Sequence, residues 1–502
     1  MKQRRIGLGL SYVNVILNTV IGLFMSSFIL RTLGSDEYGL YQMMASFANY
    51  LTLLQFGTGT VMTRNIAKYT AKEHEKSETD KIVSTIMIIA ITLAIILLVI
   101  SVLFYVSIDS IYSKSLTLEQ IAYGKRLFIL LTGFLILNFF IQTFNGIAFG
   151  FERFSFVKGF SVAKLLIRTI VVVIILQIFP SALYLVIIDV VLDFICLTIT
   201  ILYCIKNFNI SIRLSLFSKA IFNESMPFAW AMFLQTIINQ ANSNVDKFVI
   251  GVVLSPERVA VYSVAMYIFS AYSSLSTIPI SVYLPKVVKD VSNGLQGKEL
   301  TDTLISPSRL LVLIGGMILF GFITVGQEFI EIVYGEDYLE AFWICVVIMI
   351  PMFINLSNGI LVNVLDALGK RMSRSLILMV TTILNIILTI WLINVQGIIG
   401  AAIATMIATI IGQVLFMNIY YKRVIGIPVI YMFRRIYKGI LASFMVATII
   451  GILAKSLVSL LFLKFILGGC VFVAVLFICM LLFGCTESER KMFLAKLHLY
   501  QK

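Results

Sequence analysis

The chain has 502 residues, of which 60% are hydrophobic and 13% charged, with a formal net charge of +14 and a mean hydropathy of +1.01. Soluble domains carry about 25% charged residues, so this composition excludes a water-facing globular protein and makes the bilayer the solvent for most of the chain. It also argues against ATP hydrolysis and nucleic-acid binding by this chain. There is no Walker sequence, and the basic residues have no soluble domain on which to form one face.

From the N-terminus onward, about fourteen apolar runs approach the roughly 20 residues that a membrane-spanning helix needs. They are 8–30, 40–63, 83–106, 127–150, 156–178, 182–204, 226–250, 259–284, 309–330, 341–365, 374–394, 397–420, 437–458 and 462–484. Solid runs of this length argue against an outer-membrane barrel, whose strands are short and alternating. The opening MKQRR followed by Ile6–Leu30 resembles a secretory signal. Its apolar stretch is too long and has no clean cleavage site, so it reads as a retained first span.

With the N-terminus inside, the inner segments hold about 29 Lys and Arg and the outer ones about 7, an asymmetry that fixes the orientation and places both termini inside. The six cysteines, Cys196, Cys204, Cys345, Cys470, Cys479 and Cys485, are scattered through apolar runs and read as packing residues. The two histidines are His74 in a polar loop and His498 in the tail. No metal site or nucleophile–base pair can be assembled from this inventory, so the chain reads as a non-enzyme without a cofactor.

Between the first two runs lies LGSDEYGLYQ (Leu33–Gln42), and 221 residues later lies LSPERVAVYS (Leu254–Ser263). Each reads as an outer turn, with Gly34 and Gly39 permitting the first bend and Ser255 and Pro256 breaking the second. The polar inner stretches 64–82 and 285–308 follow with the same interval. A second echo pairs GIAFGFERFS (Gly146–Ser155) with NVLDALGKRMS (Asn363–Ser373). These repeats predict two six-helix lobes of equal orientation, 1–222 and 223–436, followed by two additional helices and a tail over 437–502. Parallel repeats of this kind are a transporter plan in which substrate binds near mid-membrane and access alternates by rocking.

The strings RTLGSDEYGLYQ, LLQFGTGTVMTRNIAKY, NVDKFVIGVVLSPERVAVYSVA, VLDALGKRMSRS and GIIGAAIATMIATIIGQV, in this order, resemble the Wzx-type polysaccharide-biosynthesis flippases of the multidrug/oligosaccharidyl-lipid/polysaccharide exporter superfamily. Ala260 stands where that family often has Gly, and spans 5 and 6 carry no family motif. The resemblance implies an all-α, MATE-like fold with two six-helix lobes and two C-terminal helices. It implies transfer of an undecaprenyl-diphosphate-linked oligosaccharide to the outer leaflet of the bacterial inner membrane. The implied partners are that lipid-linked substrate, membrane lipids, and a polysaccharide polymerase and glycosyltransferases.

Charges inside spans are costly and mark candidate functional positions. Span 5 carries Lys164 and Arg168, and span 6 carries Asp189 and Asp193; each pair is four apart and so shares one helix face. Arg168 sits about 15 Å from the inner boundary. The four form either a structural salt bridge between neighbouring spans or a cluster that handles a diphosphate or a coupling ion. Arg168 is the first candidate for a headgroup contact, because its planar fork suits phosphate oxygens.

Lys164, Arg31, Arg64 and Lys247 are the further substrate-binding candidates. Asp189, Asp193 and Asp246 are the candidates for H⁺ or Na⁺ coupling. Snorkelling to water is the competing reading for Arg31, Arg64 and the Asp246–Lys247 pair, and a solvated helix end is that for Asp366. The acidic stretch Gln327–Glu340 reads as a solvated outer loop. Asn138, Gln142 and Asn145, with Asn239, Asn242 and Asn244, offer either interhelical hydrogen bonds or sugar contacts. A cation-coupled multidrug exporter is the nearest alternative function. A glycan polymerase or ligase is less well matched, because every outer loop is short.

Overall fold

A computed structural model describes residues 2–70 and 76–485. The described residues form helices and their connections, with no strand among them. The main helices are α1 (Lys2–Asn49), α2 (Thr58–Thr70), α3 (Lys76–Tyr112), α4 (Leu118–Gly150), α5 (Phe154–Ile178), α6 (Ala182–Phe208), α7 (Lys219–Val253) and α8 (Pro256–Ser292). They continue as α9 (Gly297–Val333), α10 (Glu340–Leu356), α11 (Leu361–Ala367), α12 (Arg371–Thr409), α13 (Met417–Tyr420), α14 (Val429–Tyr437), α15 (Ile440–Ser456) and α16 (Leu461–Cys479). π-helical turns flank α13 at Ile410–Phe416 and Tyr421–Ile425.

Ten described helices are long and apolar enough to cross a membrane, eleven if the bent pair α14–α15 is one span. Two of the ten, 14–68 and 373–425, are too long to cross once. A straight helix of 55 residues would reach about 80 Å, against a hydrocarbon core of about 30 Å. Gly34 (φ 79°) and Gly397 (φ 61°) break them, in backbone conformations that glycine adopts without a Cβ penalty. Each long element therefore holds two of the predicted runs, and the predicted runs fall mainly on helix, with run 40–63 broken at Phe56–Gly57, run 341–365 at Ser357–Ile360 and run 437–458 at Lys438–Gly439.

Contacts group the chain into two units, Met1–Ser263 and Val264–Lys502, with the boundary inside α8. In the first unit α7 packs against α1 and α3. The sequence repeat assigns α7 to its second copy; repeat and packing describe different properties, descent in one case and contact in the other. The first unit's core joins Val61, Met62 and Ile66 of α2 to Ile82 and Ile86 of α3 and to Phe139 and Ile147 of α4. Without a hydrophobic drive between helices in lipid, small residues and hydroxyls supply the close packing. Accordingly, the Thr58 and Thr143 hydroxyls lie 3.0 Å apart and the Thr63 hydroxyl donates to the Gly146 carbonyl at 3.1 Å.

The turn at Gly34 is tied down by its own acids. Asp36 accepts from Gln120 Nε2 at 2.9 Å. Glu37 accepts from the Tyr123 hydroxyl and from the backbone N–H of Ala182, the latter at 2.6 Å. An anion at the first turn of α6 satisfies an orphan donor and complements the helix dipole. The motif's charges thus have a structural use.

In the second unit α9 packs against α10, α14, α15 and α16. Arg309 of α9 is 2% exposed. Its guanidinium donates to the carbonyls of Arg435 (3.0 Å), Ile436 (2.9 Å), Lys438 (3.4 Å) and Gly484 (2.6 Å). These acceptors lie where α14 and the turn after α16 end, so the arginine caps two sets of orphan carbonyls at once.

The solvated-loop reading of Gln327–Glu340 is corrected at its start. α9 continues to Val333, and Glu328 is buried. Lys455 of α15 reaches its two carboxylate oxygens at 2.8 and 2.9 Å. Pairing offsets the desolvation cost that would otherwise keep the acid in a loop.

Candidate functional site: charge pairs inside the helices

α5 and α6 are joined by a three-residue turn, Phe179–Ser181, and Ser181 caps α6 by accepting from Leu183 N. In an antiparallel hairpin this close to its turn, faces spaced four residues apart meet in register. The Lys164 ammonium pairs with Asp193, and the Arg168 guanidinium pairs with Asp189. Arg168 approaches side-on, with Nε to Oδ1 at 2.5 Å and an Nη to Oδ2 at 2.8 Å. This two-point geometry is among the stronger ionic contacts.

Asp193 is fully buried, while Lys164 and Arg168 are 26% and 28% exposed. Asn138 of α4 adds a third element by donating to Asp193 at 3.4 Å. The four predicted residues of spans 5 and 6 therefore come together, as their spacing implied. Counting from the outer turn, the Arg168–Asp189 pair lies about 10–15 Å along the helices and the Lys164–Asp193 pair about 16–21 Å.

A second cluster lies on α7, also in the first unit. Asp246 is buried and accepts from the Tyr262 hydroxyl at 2.6 Å. Lys247 points elsewhere and donates to Gln42 Oε1 at 3.4 Å. Successive helical residues diverge by about 100°, so each ends against a different element. One turn earlier, Asn244 donates to Gln240 Oε1 at 2.5 Å, and Gln240 Nε2 donates to the Thr52 hydroxyl. The result is a polar row on α7 facing the end of α1 and its continuation. Gln42 and Tyr262, which the sequence reading did not single out, both belong to the repeated turn motif.

Arg31 is exposed just before the Gly34 break. Arg64 is exposed on α2 and stacks over Phe228 of α7 at 4.7 Å. Beside it, Asn65 donates to the Ser225 hydroxyl at 3.0 Å and Lys68 pairs with Glu224. An apolar cavity of about 510 Å³ lies between α2, α3 and α7, lined among others by Phe56, Val61, Ile86, Phe222 and Trp230. None of the predicted charged residues lines it. The side chains of Asn239 and Asn242, together with His74 and His498, lie outside the described residues.

Sequence reasoning missed Arg309 and the Glu328–Lys455 pair. The available signal was a cation at the start of a long apolar run, and one outer lysine opposite an otherwise uncompensated acidic stretch.

A multi-pass, all-helical membrane protein with ion pairs inside its helices is the class defined by this fold. Residues 8–291 match the polysaccharide biosynthesis protein family, and the chain belongs to that family. A putative O-antigen transporter of Shigella flexneri is 24% identical over 413 residues, covering 80% of this chain and 94% of the relative. A probable low-salt glycan biosynthesis flippase of Haloferax volcanii is 26% identical over 172 residues; that match spans only 36% of the relative's length and 34% of this chain.

Among solved structures, the lipid II flippase MurJ in an inward closed conformation superposes with a TM-score of 0.75 at 16% identity, covering 94% of this chain and 98% of MurJ. A multidrug resistance MATE family transporter superposes at 0.59 and 16% identity, covering 80% of this chain and 94% of the transporter. At these identities the likeness is one of fold, and the MATE-like architecture read from the sequence holds.

Proposed function

We propose that this protein is a flippase that moves an undecaprenyl-diphosphate-linked oligosaccharide repeat unit from the cytoplasmic to the outer leaflet of a bacterial inner membrane. It would do so by alternating access, with both termini cytoplasmic, for assembly of a surface polysaccharide such as O-antigen or capsule. The observation that carries this reading is the match along 94% of a putative O-antigen transporter.

The intramembrane chemistry suits such a substrate. A diphosphate–sugar headgroup needs fixed cations and hydrogen-bonding groups across the hydrocarbon, while its polyprenyl tail can remain in lipid. In this reading Arg168 and Lys164 exchange their aspartates for phosphate oxygens, with Arg31, Arg64 and Lys247 as further contacts along the path. Asp189, Asp193 and Asp246 are the acids that would take a coupling H⁺ or Na⁺, and a membrane potential acts directly on any net charge carried. The polymerase and glycosyltransferases that consume and supply the repeat unit are the expected working partners.

Deletion of the protein should abolish display of one surface polysaccharide and leave its lipid-linked precursor in the inner leaflet. Accumulation of a fluorescent cation in the deletion strain, with surface glycan unchanged, would replace the flippase reading with that of a multidrug exporter.

A further inference from the structure

Between Lys422 and Lys438 the chain holds five Lys and Arg and no Asp or Glu. The segment ends in α14, whose nine residues extend about 14 Å, too short to cross a membrane. α14 is bent by 41° from α15.

Its two faces differ sharply. Met432 and Ile436 are buried in the second unit. On the outward side Ile430 is 71% exposed, and Arg434 and Arg435 are exposed beside it. Lys422, Arg423, Lys438 and Lys298 are exposed as well. Tyr431 carries two cations near its ring, Lys298 at 5.3 Å and Arg435 at 5.6 Å, and its hydroxyl donates to Asp302 at 2.8 Å. Beneath the helix, Arg309 holds the carbonyls of Arg435, Ile436 and Lys438.

We propose that α14 is an interfacial helix that binds anionic phospholipid headgroups of the inner leaflet, and that Arg309 passes this occupancy to α9 and to the turn after α16. Placement at the inner leaflet rests on the orientation used in the proposed function. Inside topology alone requires only cations near helix ends. It does not require an exposed isoleucine one turn from an exposed arginine on a helix that leaves the span axis. That combination is what a membrane-surface helix presents: an apolar side chain for the acyl boundary and cations for the phosphates. A cluster of this size next to a span matches anionic lipid by charge. Because the Arg309 guanidinium grips the same peptide units that carry Arg435 and Lys438, holding those side chains at headgroups also steadies the clamp below.

The test uses the full-length chain in detergent, titrated with mixed micelles of phosphatidylglycerol or of phosphatidylcholine, with the thermal unfolding midpoint as readout. Phosphatidylglycerol should raise the midpoint in a salt-sensitive way, and phosphatidylcholine should not. R434Q/R435Q/K438Q should weaken the phosphatidylglycerol effect on the order of a hundred-fold in apparent affinity, since each surface cation contributes about a factor of five. Its midpoint in phosphatidylcholine should match that of the unaltered chain. Ile430→Ser, which leaves every charge and buried contact in place, should cost about ten-fold.

Equal stabilisation by both lipids overturns the proposal, and so does undiminished phosphatidylglycerol stabilisation in the triple variant or in Ile430→Ser. If the triple variant fails to fold, Ile430→Ser decides alone. The readout needs no transport, so a failed flippase reading and a failed lipid-binding reading give different results.

Discussion

The α5–α6 hairpin and the hairpin folded at Gly397 occupy equivalent places in the two six-span sets read from the sequence, but different chemistry joins them. The polar residues that join the second hairpin are Asn385, Thr389 and Thr405. In the first hairpin Lys164 and Arg168 make ion pairs with Asp193 and Asp189. In the second, Asn385 donates to the Thr405 hydroxyl at 3.1 Å and the Thr389 hydroxyl donates to Asn385 Oδ1 at 2.8 Å.

A hairpin of this family can therefore close on neutral hydrogen bonds. Mutational cycles put such bonds in membranes at about 0.6 kcal/mol. A charge at mid-membrane costs at least about 2.5 kcal/mol, and more by some measures. Closing α5 on α6 does not need four charges. Their presence where the other hairpin manages without them is the physical reason for proposing that they take part in substrate or ion handling.

The largest expected effect tests the pairing. Asp193→Ala leaves the Lys164 ammonium among buried neighbours without its counter-ion, and breaking a buried pair from one side costs about 3–5 kcal/mol. Protein abundance in the membrane should fall severely, as measured by immunoblot against an internal standard. Near-normal abundance would mean that Lys164 escapes to water and that the pair contributes little.

Lys164→Asn combined with Asp193→Thr removes both charges and copies the neutral solution. Abundance should recover towards normal, because replacing both partners of a buried pair avoids the uncompensated charge. Surface glycan should still be absent. Normal glycan display by this double variant would reduce the pair to a structural joint.

Arg168→Ala is expected to act differently from Asp193→Ala. Arg168 is 28% exposed and Asp189 12% exposed, so neither partner is fully buried as Asp193 is, and the stability loss should be smaller than that of Asp193→Ala. Flipping should nevertheless be abolished with abundance near normal, read as lost surface glycan in a complementation assay. A collapse in abundance would make the pair structural.

The comparison also marks how far the sequence could be read. Spans were legible because the bilayer imposes a length of about 20 apolar residues on each; the break at Gly34 falls between two predicted runs and that at Gly397 on the first residue of the run 397–420. The α5–α6 pairs were legible because a short turn and four-residue spacing leave few alternatives. The Glu328–Lys455 contact was not, since 127 residues separate its partners and nothing local joins them. Arg309 was not legible either: its acceptors are backbone carbonyls, which every residue supplies and no side-chain pattern reveals. The turn motif was read as architectural, with Gly34 and Gly39 permitting its bend. Gly34 does so, whereas Gly39 is helical and serves a close approach between the two motif copies, where a Cβ would lie 1.9 Å from the Pro256 carbonyl oxygen, and Glu37 caps α6.

The smallest effect belongs to the neutral hairpin. Asn385→Ala removes the donor to Thr405 and the acceptor for Thr389. Both hydroxyls can turn to carbonyls of their own helices, as the Thr381 and Thr382 hydroxyls already do at 2.8 and 2.9 Å, so little is left unsatisfied. The expected loss is about 0.6–1 kcal/mol, seen as a small drop in thermal midpoint with surface glycan retained. Loss of glycan at normal abundance would place a function in the second hairpin as well. The contrast between a charged, working hairpin and a neutral, closing one would then fail, and with it the argument that assigns transport chemistry to α5 and α6 from charge alone.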